Sequence, residues 1–293
     1  MTGLVTSFEF FPPKTEEGKI TLQKTATQLV TVHPQFFSVT FGAGGSTQTG
    51  TIEAVEMLQQ KSPVPVTPHL SCVGMSRQQI LETLITYQKL GATRIVALRG
   101  DIPSGMGQSS ELRYASDLVK LIREATGQHF HIDVAAYPEF HPQAESAYDD
   151  VLNLKIKVEA GANSAITQYF YNPDAYFNFL DECAKCQIFV PIVPGIMPIN
   201  CFAKLTRFSD ACGAEIPRWI RKRLESFRDD AASIQAFGLE VVYNLCQRLL
   251  SGGAPGLHFY TLNQAEPSLN LAKMLGLLAA APAGKLVERS SQG

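Results

Sequence analysis

The sequence predicts an α/β protein of the (β/α)8, or TIM, barrel class, with extra helices before the eighth strand. Three observations carry that expectation. Short apolar runs alternate with helical stretches eight times along the 293 residues, the order that parallel βα units require. The early strands start about every thirty residues, the length of one such unit. The turn after the first strand holds Pro12-Pro13, where a doubly wound dinucleotide fold carries Gly-x-Gly-x-x-Gly.

Each element reads in order. Strand one is Ser7 to Phe11, stopped by the two prolines, and a helix follows from Glu16 to Thr31. Strand two is Phe36 to Phe41; Gly42-Ala43-Gly44-Gly45 leads into a helix from Gln48 to Gln60. Strand three is Val64 to Cys72, with Ser76 as the cap of its helix. Strand four is Ile95-Val96-Ala97-Leu98-Arg99-Gly100-Asp101, an apolar run that ends in charges, followed by a helix from Glu111 to Ala125. Strand five is Ile132 to Tyr137, stopped by Pro138, and its helix runs from Glu145 to Ala160, closed by Gly161. Strand six is Ser164 to Phe170, with a helix starting at Pro173. Strand seven is Ile188 to Pro194. A mainly helical region from Asn200 to Leu250 breaks near Gly213 and Pro217. Strand eight is Gly256 to Leu262, and a last helix covers Pro267 to Leu278. One domain is therefore expected over residues 1–278, with a loose tail of small and polar residues at 279–293.

Composition narrows the function. The chain is 45% hydrophobic and 18% charged, with a formal net charge of −2. That balance gives no reason to expect nucleic acid or an anionic membrane as partner. No apolar run reaches a membrane span, and residues 1–6 hold neither a basic segment nor a hydrophobic signal core. A cytoplasmic location is expected. Cys183 and Cys186 form the one close pair among six cysteines and read as incidental helix cysteines. His129 and His131 resemble a metal pair, but they lie at the amino end of strand five, away from a barrel's chemistry. No metal site is expected.

Side chains alternate along a strand. Phe8 and Phe10 share the face that suits the helix layer, so Ser7, Glu9 and Phe11 face the barrel interior. Ser38, Thr40, Thr67, His69, Arg99, Tyr137 and Gln168 are polar residues near other strand ends, suited to the same interior. Glu9 is the sharpest candidate. A carboxyl inside a barrel loses solvation unless it is paired, and that loss favours the protonated form a general acid needs. The alternative is a plain ion pair, with Arg99 as the available cation. The interior strands carry no lysine, which argues against Schiff-base chemistry.

Ten segments in order resemble the methylenetetrahydrofolate reductase family. They include Phe8-Glu9-Phe10-Phe11-Pro12-Pro13, Ser38-Val39-Thr40-Phe41-Gly42-Ala43, Val96-Ala97-Leu98-Arg99-Gly100-Asp101, Ala135-Ala136-Tyr137-Pro138-Glu139, Ile166-Thr167-Gln168-Tyr169-Phe170 and His258-Phe259-Tyr260-Thr261-Leu262-Asn263. The likeness runs from Ser7 to about Leu277. It implies an FAD-binding barrel in which NADH or NADPH reduces the flavin and leaves. Folate then takes its place, and 5,10-methylenetetrahydrofolate becomes 5-methyltetrahydrofolate, a product that feeds methionine synthesis. The absence of a basic cluster for a 2′-phosphate favours NADH, and relatives form homo-oligomers.

The resemblance also implies roles. Glu9 matches the acid that protonates N10 as the methylene bridge opens. Asp101 matches an aspartate between the flavin pyrimidine and the pterin, where a carboxylate stabilises the cationic iminium and tunes the flavin. Gln168 contacts both substrates, Phe208 stacks on bound ligand, and Thr40 and Asp101 also face substrate. FAD is expected at Thr40, Phe41, Ala43, His69, Arg99, Gly100, Asp101, Tyr114, Ala115, Tyr137, His141, Asp150, Asn153 and Lys157. Three positions depart from the family pattern. Ile156 stands where relatives carry a basic residue, Gln264 where they carry the arginine that helps hold folate, and Lys204 where they carry a glutamine. Another flavin barrel, oxidising NADH with a quinone or another acceptor, is the competing enzyme reading; a barrel kept for binding or assembly is the non-enzymatic one.

Overall fold

The computed structural model describes residues 5–41, 48–100, 111–139 and 141–278. Nine short parallel strands form one sheet: β1 Val5–Phe10, β2 Phe36–Val39, β3 Val66–Ser71, β4 Arg94–Leu98, β5 His131–Ala136, β6 Ser164–Thr167, β7 Ile192–Val193, β8 Gly195–Ile196 and β9 Gly256–Tyr260. The order is β7-β6-β5-β4-β3-β2-β1-β9-β8. Since β7 and β8 flank Pro194 in one stretch of chain, the sheet closes on itself as an eight-position barrel. The expected strand seven thus starts later and continues past Pro194. Proline has no N–H for the ladder, so the strand divides there. The Pro194 carbonyl still accepts the His258 N–H at 3.0 Å, and Gly195 N–H turns to the Thr167 hydroxyl at 2.9 Å. A Cβ at Gly195 would sit 2.2 Å from the Thr167 carbonyl oxygen, so glycine is required at this seam.

Among the described residues, ten α-helices accompany the strands: α1 Glu16–Leu29, α2 Gln48–Lys61, α3 Arg77–Lys89, α4 Ala115–Thr126, α5 Ala147–Glu159, α6 Pro173–Lys185, α7 Phe202–Cys212, α8 Arg218–Phe227, α9 Ala231–Ser251 and α10 Ala265–Met274. Their starts follow local chemistry. Ser76 caps α3 with a reciprocal bond from Gln79, Ser146 caps α5, and Asn172 caps α6 ahead of Pro173. Helix α4 begins at Ala115 rather than Glu111, because Asp117 turns back to accept the Arg113 and Tyr114 amides. The last helix runs Ala265–Met274, earlier than Pro267 to Leu278. Helices α7, α8 and α9 are the expected additions before the last strand. The expected tail at 279–293 lies outside the described residues.

The main core lies between strands and helices. Phe8, Phe10, Phe37, Leu70, Ile95, Ile132, Val134 and Phe259 pack there against helical residues such as Leu22, Leu84, Ile122 and Leu154. Inside the barrel, Phe36, Val96 and Ile166 form a smaller apolar plug. Below it, Arg94 forks onto the buried Asp133 at 2.6 and 2.8 Å, and Ser164 donates to the same carboxylate at 2.6 Å. The plug and this floor close the amino end, leaving chemistry to the carboxyl end of the strands.

Candidate active site

Strand β1 aims its side chains as alternation requires. Phe8 stacks on Phe259 at 5.3 Å and Phe10 meets Phe37 edge-on at 5.2 Å, both on the helix side. Ser7 and Glu9 therefore face inward. The Ser7 hydroxyl lies 2.7 Å from His258 Nδ1, which turns His258 Nε2 toward Glu9 Oε2, 3.5 Å away. His69 Nε2 approaches the same carboxylate oxygen, also at 3.5 Å. Arg99 is not the partner of Glu9; its guanidinium donates to Gln143 at 2.6 Å. Two imidazoles take the place that the ion-pair alternative gave to arginine.

Polar side chains line this pocket. Burial pulls the His69 imidazolium below its ordinary value; the Glu9 charge opposes that shift and His258 adds to it. His69 is thus neutral at pH 7. Ser38 Oγ, Thr67 Oγ1, His69 Nε2 and His258 Nε2 are buried without a hydrogen-bond partner among the described residues. Ser38 pairs in register with both Glu9 and Thr67, so these atoms gather round the acid. Tyr260, in register with Glu9, donates its phenol to the Thr167 carbonyl at 2.7 Å. Burial first, and then the Glu9 charge, hold that phenol well above its usual range. The Glu9 side chain itself is 18% exposed, enough to reach a ligand at the mouth.

The expected flavin residues gather on the neighbouring rim, at the ends of β4 and β5 and on α5. The Tyr137 and His141 rings meet edge-on at 4.7 Å. Asp150 accepts the His141 backbone N–H. Burial raises the Asp150 carboxyl, while that bond and the Lys157 charge oppose the rise. The Lys157 ammonium donates to the Ala135 carbonyl at 2.5 Å. Burial brings it down to about 8, with Asp150 offsetting part of the shift. Gly100 follows Arg99 beside this rim, and Tyr114 and Ala115 form the start of α4. Asn153 is exposed on α5, one turn before Lys157. Ile156, 46% exposed, offers no charge there. Thr40 donates its N–H to the Phe10 carbonyl at 2.9 Å, and Phe41 packs partly buried against the core. Ala43 and Asp101 lie outside the described residues.

The expected folate contacts come from later elements. Gln168 follows β6, half-buried, its side-chain oxygen accepting the Tyr169 N–H at 3.0 Å. Phe208 lies on α7, with the Arg207 guanidinium 5.5 Å from its ring centre. Lys204 is exposed on the same helix. Gln264, in place of the family arginine, accepts from Asn200 at 2.7 Å, joining the start of α10 to the segment before α7. Among the described residues, no three His, Cys, Asp or Glu side chains gather as metal ligands, and none of the helices is long and apolar enough to cross a membrane. His131 instead bonds Ser164 at 2.6 Å on the barrel floor.

Sequence reasoning found Glu9 by parity but gave His258 and Ser7 no role. The signal was present: in strand eight, His258 and Tyr260 alternate with the apolar Leu257 and Phe259. It acquires meaning only once β9 is placed beside β1.

The chain is similar to known proteins along most of its length. Residues 2–276 match the family model described as methylenetetrahydrofolate reductase. A Salmonella typhimurium protein named 5,10-methylenetetrahydrofolate reductase is 40% identical over 271 residues, covering 92% of this chain and 90% of that protein. An Escherichia coli protein of the same name matches at the same identity and coverage, 40%, 92% and 90%. A rice protein named probable methylenetetrahydrofolate reductase (NADH) is 38% identical over 287 residues, which are 94% of this chain and 48% of the rice protein. A solved structure, described as an uncharacterized protein from Clostridium thermocellum that binds two copies of 5-methyl-5,6,7,8-tetrahydrofolic acid, shares the fold. Its TM-score is 0.69 at 19% identity, covering 93% of this chain and 95% of that one. By its family model and these relatives, the chain belongs to the methylenetetrahydrofolate reductase family.

Proposed function

We propose that this chain reduces 5,10-methylenetetrahydrofolate to 5-methyltetrahydrofolate, with NADH or NADPH as electron donor and FAD as resident carrier, in a cytoplasmic homo-oligomer. The observation that carries this reading is Glu9, half-buried at the mouth between His258 and His69 with Ser7 behind His258. The folate reaction needs a proton at one nitrogen. As the five-membered bridge opens, the methylene–N10 bond breaks, its electron pair takes a proton at N10, and a 5-iminium cation remains. A carboxyl at the mouth is placed to give that proton. The Ser7–His258 pair turns the imidazole Nε2 toward that carboxyl, 3.5 Å away. Asp101, by resemblance, faces the cation, where a negative charge favours its formation as the bridge opens.

The rim fits FAD. Lys157 is a cation held at about 8 by burial, with Asp150 as its charged neighbour; such a cation gains from an anion, and a flavin phosphate is one. Arg99 supplies a second positive charge, and Tyr137 with His141 a ring surface. When bound, FAD accepts hydride from the nicotinamide and returns it to folate. Gln168 can donate and accept toward either a nicotinamide or a pterin, which suits one mouth serving both in turn, a ping-pong order. The printed names of plant relatives, from rice and Arabidopsis thaliana, specify NADH, and this chain's lack of a basic cluster for a 2′-phosphate favours the same donor.

Glu9→Gln tests the reading. NADH should reduce the variant's flavin at close to the normal rate, while folate reduction falls by about 10²–10⁴-fold, the usual worth of a general acid. Folate turnover within a few-fold of normal would remove Glu9 from that role.

A further inference from the structure

Helix α7, which carries Phe208, is fastened to the barrel mouth at its carboxyl end. The Tyr169 phenol and the Ser209 hydroxyl lie 2.9 Å apart. Beyond the helix, the Glu215 backbone N–H donates to Glu139 Oε2 at 2.8 Å. Between these points Gly213 ends α7 at φ 77°, and a Cβ there would lie 2.5 Å from Pro142 Cγ. Glu139 directly follows Tyr137-Pro138, and a cleft lined by Tyr137, Glu139, Gln168 and Gly213 opens beside it. The loop after β5 thus joins the flavin rim to the end of the ligand-stacking helix. Nothing in the reaction needs a second acid here, and the family resemblance gives Glu139 no role.

We propose that Glu139 is a positioning residue: by holding the Glu215 amide it seats α7, and with it Phe208, over the folate subsite beside Gln168. The proposal rests on the reading of Phe208 as a ligand contact. The seating has a definite pH sense. Burial pushes the Glu139 carboxyl up to about 7; the Glu215 amide bond opposes the rise and the Glu215 carboxylate adds to it. The other titratable groups at this cleft are Tyr137, Tyr169, Tyr171 and Cys212. Tyr169 and Tyr171 are both raised far from neutrality by burial. No lysine or arginine lines the cleft among the described residues. A carboxyl whose affinity for the proton is greater when covered than when solvated favours the covered state in acid. Seating is therefore firmest below the ordinary carboxylate value, loosens as pH rises above it, and the loss is complete once pH passes about 7.

Two measurements on the holoenzyme test this. The first is hydrogen exchange of residues 202–212 at pH 6 and pH 8.5, corrected for intrinsic rates and without ligand. Protection should fall by up to about tenfold across that range. It should stay flat in Glu139→Gln, a neutral isostere that still accepts the amide, and be low at both pH values in Glu139→Ala. The same slope in native protein and Glu139→Gln would overturn the proposal. The second is the dissociation constant for 5-methyltetrahydrofolate, read from flavin absorbance in a Glu9→Gln background that removes the acid from the mouth. It should weaken up to about tenfold from pH 6 to 8.5 and become flat on adding Glu139→Gln; an unchanged slope would sink the link to folate. If α7 loosens with pH as expected but 5-methyltetrahydrofolate binds at neither pH, the fastening stands and the folate reading fails.

Discussion

Lys157 illustrates how burial sets chemistry at the level of single residues, and Glu9 how strand parity places it. Lys157 was legible as an expected flavin ligand by resemblance; that its ammonium would be drawn against Ala135 was not, since nothing in a helix sequence says which carbonyl its lysine reaches. Its lowered value, about 8, has two consequences. Between about pH 8 and the ordinary lysine value the unfolded chain binds more protons than the folded one, so the apoprotein gains stability as pH rises there. FAD binding has the opposite sense, because a phosphate favours the charged amine. FAD affinity should fall by up to about tenfold per pH unit above pH 8. Fluorescence titration of apoprotein with FAD from pH 7 to 9.5 measures it, and Lys157→Met should remove the slope while weakening binding at pH 7. Glu9 was legible through period-two alternation alone. Its partners were not, because parity says which side a residue faces and not which strand closes beside it. Only the β1–β9 pairing brings Ser7, Glu9 and His258 together.

The strands were legible as elements because each is a short apolar run between turn residues, and the helices because their caps are in the sequence. Boundaries moved where local chemistry overrode pattern. The apolar pattern of strand seven ends at Pro194, yet the strand resumes at Gly195, whose N–H donates to the Thr167 hydroxyl in place of a ladder bond. The floor formed by β4, β5 and β6 was hidden, since Arg94, Asp133 and Ser164 are far apart in sequence. Burial alone would raise the Asp133 carboxyl; bonds from His131, Arg94 and Ser164 instead hold it well below the usual carboxylate range. A folded value below the unfolded one means the contribution is present above about pH 4 and is lost as pH falls further. Asp133→Asn leaves Arg94 short of its partner. Because Arg94 is partly exposed, the expected cost is about 3 kcal/mol, the low end for a broken buried pair. Urea denaturation at pH 7 checks the magnitude. Repeating it from pH 5 to 3 should show a steeper loss in the native protein than in the variant; equal slopes would mean that the floor pair does not titrate as described.

At the level of the whole molecule, the barrel separates stability from chemistry. The amino end is sealed by the apolar plug and the Arg94–Asp133 floor, while Glu9, Arg99, Tyr137, Lys157, Gln168 and Phe208 come to the other end from six places in the chain. That convergence was legible in outline for Glu9, Arg99, Tyr137 and Gln168, because strand count and alternation together fix which ends meet; Lys157 and Phe208 were expected there by resemblance alone. The bond that occupies Gln264 was not, since its partner, Asn200, lies in a segment whose path only the closed barrel defines. The central claim is that one mouth moves hydride from nicotinamide to folate through bound flavin, with Glu9 supplying the proton. The anaerobic pair of half-reactions tests it most directly. The protein should purify yellow or take up FAD, be bleached by NADH, and recover its colour when 5,10-methylenetetrahydrofolate is added. A protein that takes up no FAD, or one whose reduced flavin is reoxidised by menadione but not by the folate, would contradict it.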